Sequence, residues 1–543
     1  MQFSTCKTQI AKWAGIVLVA LLFGAGSARA DELNELSLDG WKQLREVERY
    51  QLQIAEKYWR EQNWKIAGDE YAKFMELYES STGAPYAQLK WSLAQVQLRK
   101  QNTAIKEGFQ SVIDYWPDSP QATAAAYYIG RTHKDIGRVK EAKSALKEVV
   151  AKHPQTLAAV YALNDLIDIT TIENDLPARV ELWKRLVFDI KRNRESSGIC
   201  VQASQQFAAY SFREGAVEDG VKALATTYNP QQLPAQVAAY ARQPISDLTG
   251  AAESKLKGDK LADGVIAWLK TALPTDQSTP EAKQLARSIL LSVADLTAVA
   301  RRDDAVPAAY EAVLKNSSPD DEALGRLAAW HKAKSYDKAR ETYRRYADKF
   351  EGLGQVANSY REQAKYQEAV ETYQQVASQD EPRRIRWKSE LAYTYRLWRK
   401  IPEAVAVYEE LYKEDTAQPG RWRWEIAITY RDAGQYAQAI GNFRQCDNFP
   451  ENYKQMAWCH RQAKQWAEAI ILYGQVAGNA ASAPWALLQV AYTREEAGQA
   501  EQAIQAFQLV CKRFPKDSHA ATAHAHLQQK YKISVTLGGA TQE

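Results

Sequence analysis

Small and large apolar residues follow one another in a fixed order along the C-terminal part of this chain. Between Leu324 and Tyr531 an alanine is followed four positions later by an aromatic residue six times. The pairs are Ala339/Tyr343, Ala369/Tyr373, Ala404/Tyr408, Ala439/Phe443, Ala469/Tyr473 and Ala503/Phe507. Successive alanines lie 30, 35, 35, 30 and 34 residues apart. A period near 34 predicts an array of short repeats in place of one closed core. Around Ala439 the repeat resolves into two apolar-periodic segments, Trp424 to Tyr430 and Tyr436 to about Cys446. The turn Asp432-Ala433-Gly434-Gln435 separates them. Ala427 and Ala439 suit a close crossing of two helices, and Tyr430 and Phe443 fill the space beside them. Such a pair keeps an apolar outer face and needs a neighbour on each side.

The same template extends towards the N-terminus. Trp41 to Arg60 reads as one long helix, followed by Trp64 to Tyr78, with Ala55, Tyr58, Ala67 and Tyr71 on the repeat positions. A second pair holds Leu89, Leu93, Val96, Ile105 and Phe109, and a third Ile129, Gly130, His133, Gly137, Ala142 and Leu146. Pro117 and Pro154 each follow the second helix of a pair and stop it. From Leu157 to about Pro319 the pattern loosens, with pairs closing at Asn229-Pro230, Pro274 and Pro319 and a polar linker at Asn193 to Gly198. Pro234, Pro244 and the Gly250–Gly264 neighbourhood predict that long regular helices are absent there. This stretch reads as degenerate helical repeats, with a separate small helical domain as the alternative. The predicted organisation is a leader at 1–30, repeats at 31–156, degenerate repeats at 157–320, a strong array at 321–531 and a flexible tail at 532–543.

These units resemble tetratricopeptide repeats. The residues that carry the likeness are Leu353, Val356, Ala357, Tyr360, Ala369 and Tyr373 in one unit, and Tyr453, Met456, Ala457, His460, Ala469 and Tyr473 in another. Pro515, twelve residues after Ala503, matches the helix-ending proline of that pattern. The resemblance implies an all-α, right-handed superhelical solenoid of roughly 11 to 13 helical hairpins. It also implies a concave face, lined by first helices, that takes up an extended peptide or a partner helix. Trp116-Pro117-Asp118-Ser119-Pro120, joined to an export leader, is similar to endings in bacterial envelope proteins with such repeats. Examples are the Tol-Pal coordinator and the outer-membrane assembly lipoprotein. That likeness covers roughly residues 41 to 160 and transfers no partner.

The first thirty residues read as a cleavable export signal. Lys7 and Lys12 make a basic start, Ala14 to Ala25 an apolar core, and Ser27-Ala28-Arg29-Ala30 a small-x-small end. An uncleaved anchor is the alternative, and nothing later in the sequence is apolar enough for a transmembrane span. Export places the chain in the periplasm or outside the cell. Loss of Lys7, Lys12 and Arg29 takes the formal net charge from +4 to +1, so a general nucleic-acid footprint is not expected. Of five cysteines, Cys6 falls in the leader, and the four that remain, Cys200, Cys446, Cys459 and Cys511, are too few for a disulfide-built fold. Cys446 and Cys459 fall on neighbouring helices, where they either bridge or pack as small hydrophobes.

Catalytic motifs are missing. The sequence has no Gly-x-Ser-x-Gly elbow, no phosphate loop, no Gly-x-Gly-x-x-Gly turn and no His-Glu-x-x-His. Among seven histidines only His519, His524 and His526 cluster, and they read as surface residues of the last helix. No catalytic residue, metal site or cofactor is therefore expected. An enzyme would need a polar pocket between about Asn193 and Pro319, and no suitable residues converge in that sequence. Arg383, Arg384, Arg386 and Lys388, beside Asp380 and Glu381, read as a loop and cap.

The late first helices instead carry aromatic and arginine residues, the commonest anchors of protein interfaces. Trp387, Arg421, Trp422, Arg423, Trp424, Arg431 and Arg461 are the candidate partner-binding residues. Trp422 and Trp424, two apart, cannot both face one core, and Arg421 and Arg423 suit a carboxylate or an aromatic face. The Arg421–Trp424 cluster is either a partner contact or a junction between repeats. The expected function is that of an exported, non-catalytic protein-interaction scaffold in the cell envelope. The alternative is a structural component of an envelope or polysaccharide-export assembly that self-associates through an end or the convex face.

Overall fold

The computed structural model describes residues 33–535. All regular structure among them is helical, and no strand is present among the described residues. The leader, and residues 536–543 of the tail, lie outside the described residues. None of the described helices is long and apolar enough to cross a membrane.

The helices form two compact units that divide between Ala305 and Val306. In the first, consecutive helices pack in pairs: Glu46–Arg60 on Trp64–Leu77, Pro120–Asp135 on Val139–Lys152, and Leu233–Gly250 on Lys255–Thr271 are examples. In the second, Lys349–Glu362 packs on Tyr366–Gln379, Arg384–Leu397 on Ile401–Glu414, and Pro419–Asp432 on Tyr436–Phe443. Glu451–Gln462 with Trp466–Val476 and Ala483–Glu496 with Ala500–Arg513 complete that series. A last helix, Ser518–His526, continues as a π turn to Tyr531 and covers the final hairpin.

The repeated alanines do what their size permits. All six are fully buried, and their aromatic partners are at most 7 % exposed. Each alanine lets two backbones approach, and the ring one turn later fills the gap beside it.

The turns between paired helices share one geometry. Gln62, Arg99, Gly137, Asn174 and Gly215 in the first unit, and Ala364, Arg399, Gly434, Lys464 and Gly498 in the second, all have φ between 55° and 82°. The amide after each such residue generally closes back onto the helix: Lys365 N donates to Tyr360 O at 3.0 Å and Gln435 N to Tyr430 O at 2.9 Å. This left-handed stop satisfies carbonyls that the helix end leaves open.

Three regions depart from the sequence expectation. The predicted helix from Trp41 to Arg60 breaks at the buried Leu44, which is extended, and restarts where Glu48 takes the Arg45 amide at 2.7 Å. Residues 101–115 contain a π segment, Ala104–Phe109. The stretch around Pro234, Pro244 and Gly258 holds two long regular helices, Leu233–Gly250 and Lys255–Thr271. Pro234 sits in the first turn, where its missing N–H is no loss, and Pro244 is buried within its helix. Gly258 allows these helices to touch, because a Cβ there would lie 2.7 Å from the Thr249 amide nitrogen. One continuous apolar core runs from Leu89 to Ala300 through this stretch.

Candidate functional site

One side-chain relationship recurs from hairpin to hairpin. The residue three positions before a left-handed turn meets the residue nine positions before the next such turn. Arg361 donates to Glu390 at 2.7 Å, Arg396 to Glu425 at 2.9 Å, Arg431 to Gln455 at 2.6 Å and Arg461 to Gln489 at 2.9 Å. In the first compact unit Lys134 donates to Asp165 at 2.7 Å in the same register, and Lys90 stands 3.9 Å from the Trp59 ring centre with the polarity reversed. These contacts join the first helix of one hairpin to the first helix of the next. They fix the spacing of a shared face, and being charge-assisted and half-buried they hold more firmly than surface ion pairs.

Between the rungs lies a row of larger side chains, one per hairpin: Tyr393, Ile428, Trp458 and Tyr492. Tyr393 is 36 % exposed, with Arg361 and Arg396 at 5.1 and 5.0 Å from its ring centre. Leu397, one turn along the same helix, is also exposed. Trp458 is 38 % exposed, with Arg431 5.8 Å from its ring centre and Tyr436 at right angles behind the same contact. An exposed aromatic ring flanked by guanidinium groups, as at Tyr393, presents apolar area and directed donors together, the mixture that anchors protein partners.

The sequence-predicted residues divide. Arg431 and Arg461 belong to the ladder and lie on this face. Arg461 also pairs with Glu496, whose carboxyl is held below its ordinary range by that guanidinium. Trp387 and Trp422 do not reach solvent and are corrected to core residues. The Trp387 indole donates to Asp380 at 2.7 Å, and the Trp422 indole to Asp415 at 2.9 Å, seven residues upstream in each case. Both rings sit at the same repeat position, and Gly354 leaves the room that Trp387 occupies. Trp424 is half-buried, edge-on to Phe443 at 4.9 Å. Arg423 lies over Tyr412 and donates to Asn442, and the exposed Arg421 stacks on Trp422. The cluster thus turns its side chains apart: Trp422 meets Asp415 and Arg423 meets Tyr412 of the preceding hairpin, while Trp424 meets Phe443 of its own.

Other polar candidates have structural partners. Cys446 and Cys459 are unbridged and buried, and burial pushes the Cys459 thiol up to about 12. His519 bonds Asp517 and His526 bonds Glu495, so these two histidines serve different contacts. Arg383 and Arg386 pair with Asp348 and Glu351 of the preceding hairpin.

Sequence reasoning missed Arg361, Arg396, Tyr393 and Trp458. The signal that finds them is the register counted from the left-handed residue, which glycine marks at 434 and 498 but not at 364, 399 or 464.

Tetratricopeptide repeat patterns match residues 124–156, 357–420 and 485–517. The chain therefore carries tetratricopeptide repeats in both compact units, and such repeats typically build protein-binding scaffolds. Among solved structures it is similar to the yeast Tom70, at 12 % identity over 90 % of this chain and 98 % of that one, with a TM-score of 0.28. The APC/C hetero-tetramer Cut9-Hcn1 matches at 11 % identity over 90 % of this chain and 99 % of that chain, with a TM-score of 0.27. The complex of Naa15/Naa10 bound to HypK-THB matches at 13 % identity over 89 % and 78 %, with a TM-score of 0.33.

Proposed function

We propose that this protein is an exported, non-catalytic interaction scaffold of the cell envelope, and that the part of the first-helix face from Lys349 to Leu397 binds a peptide or protein partner. The observation that carries the reading is Tyr393, exposed and held between Arg361 and Arg396 on a face whose spacing is set by the arginine ladder. Its ring and the neighbouring Leu397 offer apolar area that no other described element covers. The two arginines are already paired with acids, so their remaining N–H groups are oriented before a partner arrives. The export half of the proposal rests on the basic start, apolar core and small-x-small end of residues 1–30.

The test is capture from the cell's own envelope fraction, followed by identification of the partner and its reconstitution with purified chain. The double variant Tyr393→Ala/Leu397→Ala should lose the reconstituted complex while keeping its helical content and melting profile. Undiminished binding by that variant would remove the face from consideration. Fractionation of the native cell tests export separately, by whether the processed chain leaves the cytoplasm.

A further inference from the structure

The stretch of the first-helix face beyond Tyr393 opens into a groove of about 780 Å³ between helices Pro419–Asp432, Glu451–Gln462 and Ala483–Glu496. Its composition differs from that of a peptide groove. Two indoles, Trp458 and Trp485, provide its apolar area, backed by the buried Tyr473, and no aliphatic side chain lines it. Peptide grooves select side chains by apolar pockets, and none is present here. The remaining lining is polar and balanced: Arg431 and Lys454 against Asp432 and Glu451, with the neutral amide of Gln489.

These groups are fixed. Arg431 donates to Gln455 and Asp432, Lys454 to Glu451 at 2.7 Å, and Gln489 accepts from Arg461. Each indole meets a tyrosine nearly at right angles, Trp458 with Tyr436 and Trp485 with Tyr473. Lys454 Nζ stands 5.2 Å from the Trp485 ring centre, a donor placed beside an aromatic platform.

From this arrangement we infer that the groove is a binding site for a neutral oligosaccharide. Pyranose rings present a face of C–H groups that stacks on an indole and a rim of hydroxyls that both donate and accept. Trp458 and Trp485 supply the stacking surfaces, and carboxylate, amide and guanidinium groups alternate around them to meet the rim. The formal charge of the lining sums to zero, which suits an uncharged ligand better than an acidic or basic peptide. The site lies apart from Tyr393 and Leu397, so this inference and the proposed protein-binding role are tested by different residues.

The experiment is calorimetric titration of the purified full chain with cellohexaose, maltohexaose and chitohexaose. At least one should bind with a Kd of about 0.1–1 mM, and Trp458→Ala should weaken it about tenfold or more. Gln489→Ala, which removes a groove amide and leaves both rings, should weaken it several-fold, and Tyr393→Ala should leave it unchanged. Absence of binding by all three sugars at about 5 mM would overturn the assignment. So would sugar binding that both Trp458→Ala and Gln489→Ala retain in full. A captured partner protein that occupies this groove while the sugars do not would equally replace it.

Discussion

His526 places its Nε2 2.9 Å from a carboxylate oxygen of Glu495, and this contact joins the last helix to the last hairpin. Glu495 stands where Arg361, Arg396, Arg431 and Arg461 stand in the preceding hairpins, three residues before the turn at Gly498. At Gly498 the register position thus carries the opposite charge. The helix that follows this hairpin brings His526, Lys530 and Tyr531 to the acid. Burial alone would raise the Glu495 carboxyl, but bonds from Tyr531, His526 and Lys530 outweigh it and hold the group below its ordinary range. A depressed carboxyl contributes stability above its unfolded pKa and loses it as pH falls through the folded value. The end helix should therefore loosen first in acid, below about pH 4. Glu495→Ala should release it at neutral pH by about 1–3 kcal/mol. Hydrogen exchange would show faster amides at Ala520 and Ala523, with those of residues 419–476 unchanged; uniform acceleration would contradict an end-cap role.

Arg383 donates to Asp348 at 2.6 Å and so joins two hairpins of the second unit through an acid. Hydrogen bonding from Arg383 brings the Asp348 carboxyl down to about 2, from an ordinary value of 3.8. Its stabilising contribution is complete above pH 4 and disappears as pH falls towards 2. Arg383→Gln should return the Asp348 titration to the ordinary range, followed by carboxyl NMR with labelled aspartate. Since Asp348 is partly exposed, the accompanying loss of stability should be small, below about 1 kcal/mol. An unchanged titration midpoint would show that the helix-start amides of Phe350 and Glu351 hold the charge without Arg383.

Turn chemistry offers a gain in place of a loss. Ala364 has φ 56° at an exposed position where Gly434 and Gly498 occupy the equivalent turns. A Cβ in the left-handed region crowds the following carbonyl, a strain of roughly 1 kcal/mol that glycine removes at some entropic cost. Ala364→Gly should stabilise the second unit by about 0.5 kcal/mol, and Gly434→Ala should weaken it by about 1 kcal/mol. Urea unfolding followed by circular dichroism measures both, and an opposite order would mean that these turns are set by packing alone.

The same turns explain how much of the molecule the sequence discloses. Helical hairpins are legible because alanine and an aromatic four apart are read directly from the chain, and every one of those pairs is buried. The face is less legible, because its register is counted from turns that alanine, arginine and lysine occupy as well as glycine. Trp387 and Trp422 draw attention as large, repeated rings, yet their indole N–H groups find aspartates seven residues upstream and turn inward. Tyr393 and Trp458 are no different in type. Only their place between two rungs of the ladder sets them on the surface, and that place depends on contacts between hairpins.

Glycine in the middle stretch suggests a helix breaker from sequence but serves as a contact point, and that role leads to a graded prediction. Gly258 lies within helix Lys255–Thr271, where an added Cβ would come 2.7 Å from the Thr249 nitrogen and 2.9 Å from the Leu248 carbonyl carbon. Backbone cannot swing aside as a side chain does, so Gly258→Ala must push apart a pair of helices packed along their length, at about 2–3 kcal/mol. At Gly264 the nearest atom is a methyl of Val217 at 3.0 Å, which can give way, so Gly264→Ala should cost less than about 1 kcal/mol. Gly441, in helix Tyr436–Phe443, has nothing within 4 Å of its added Cβ. There the helix preference of alanine acts alone, and Gly441→Ala should stabilise by about 0.5–1 kcal/mol. Thermal unfolding of the three variants distinguishes close approach from mere tolerance: a large loss at Gly258, a small one at Gly264 and a gain at Gly441. If Gly258→Ala melts with the parent protein, the two helices are not held by the contact at that glycine, and the regularity of the middle stretch needs another cause.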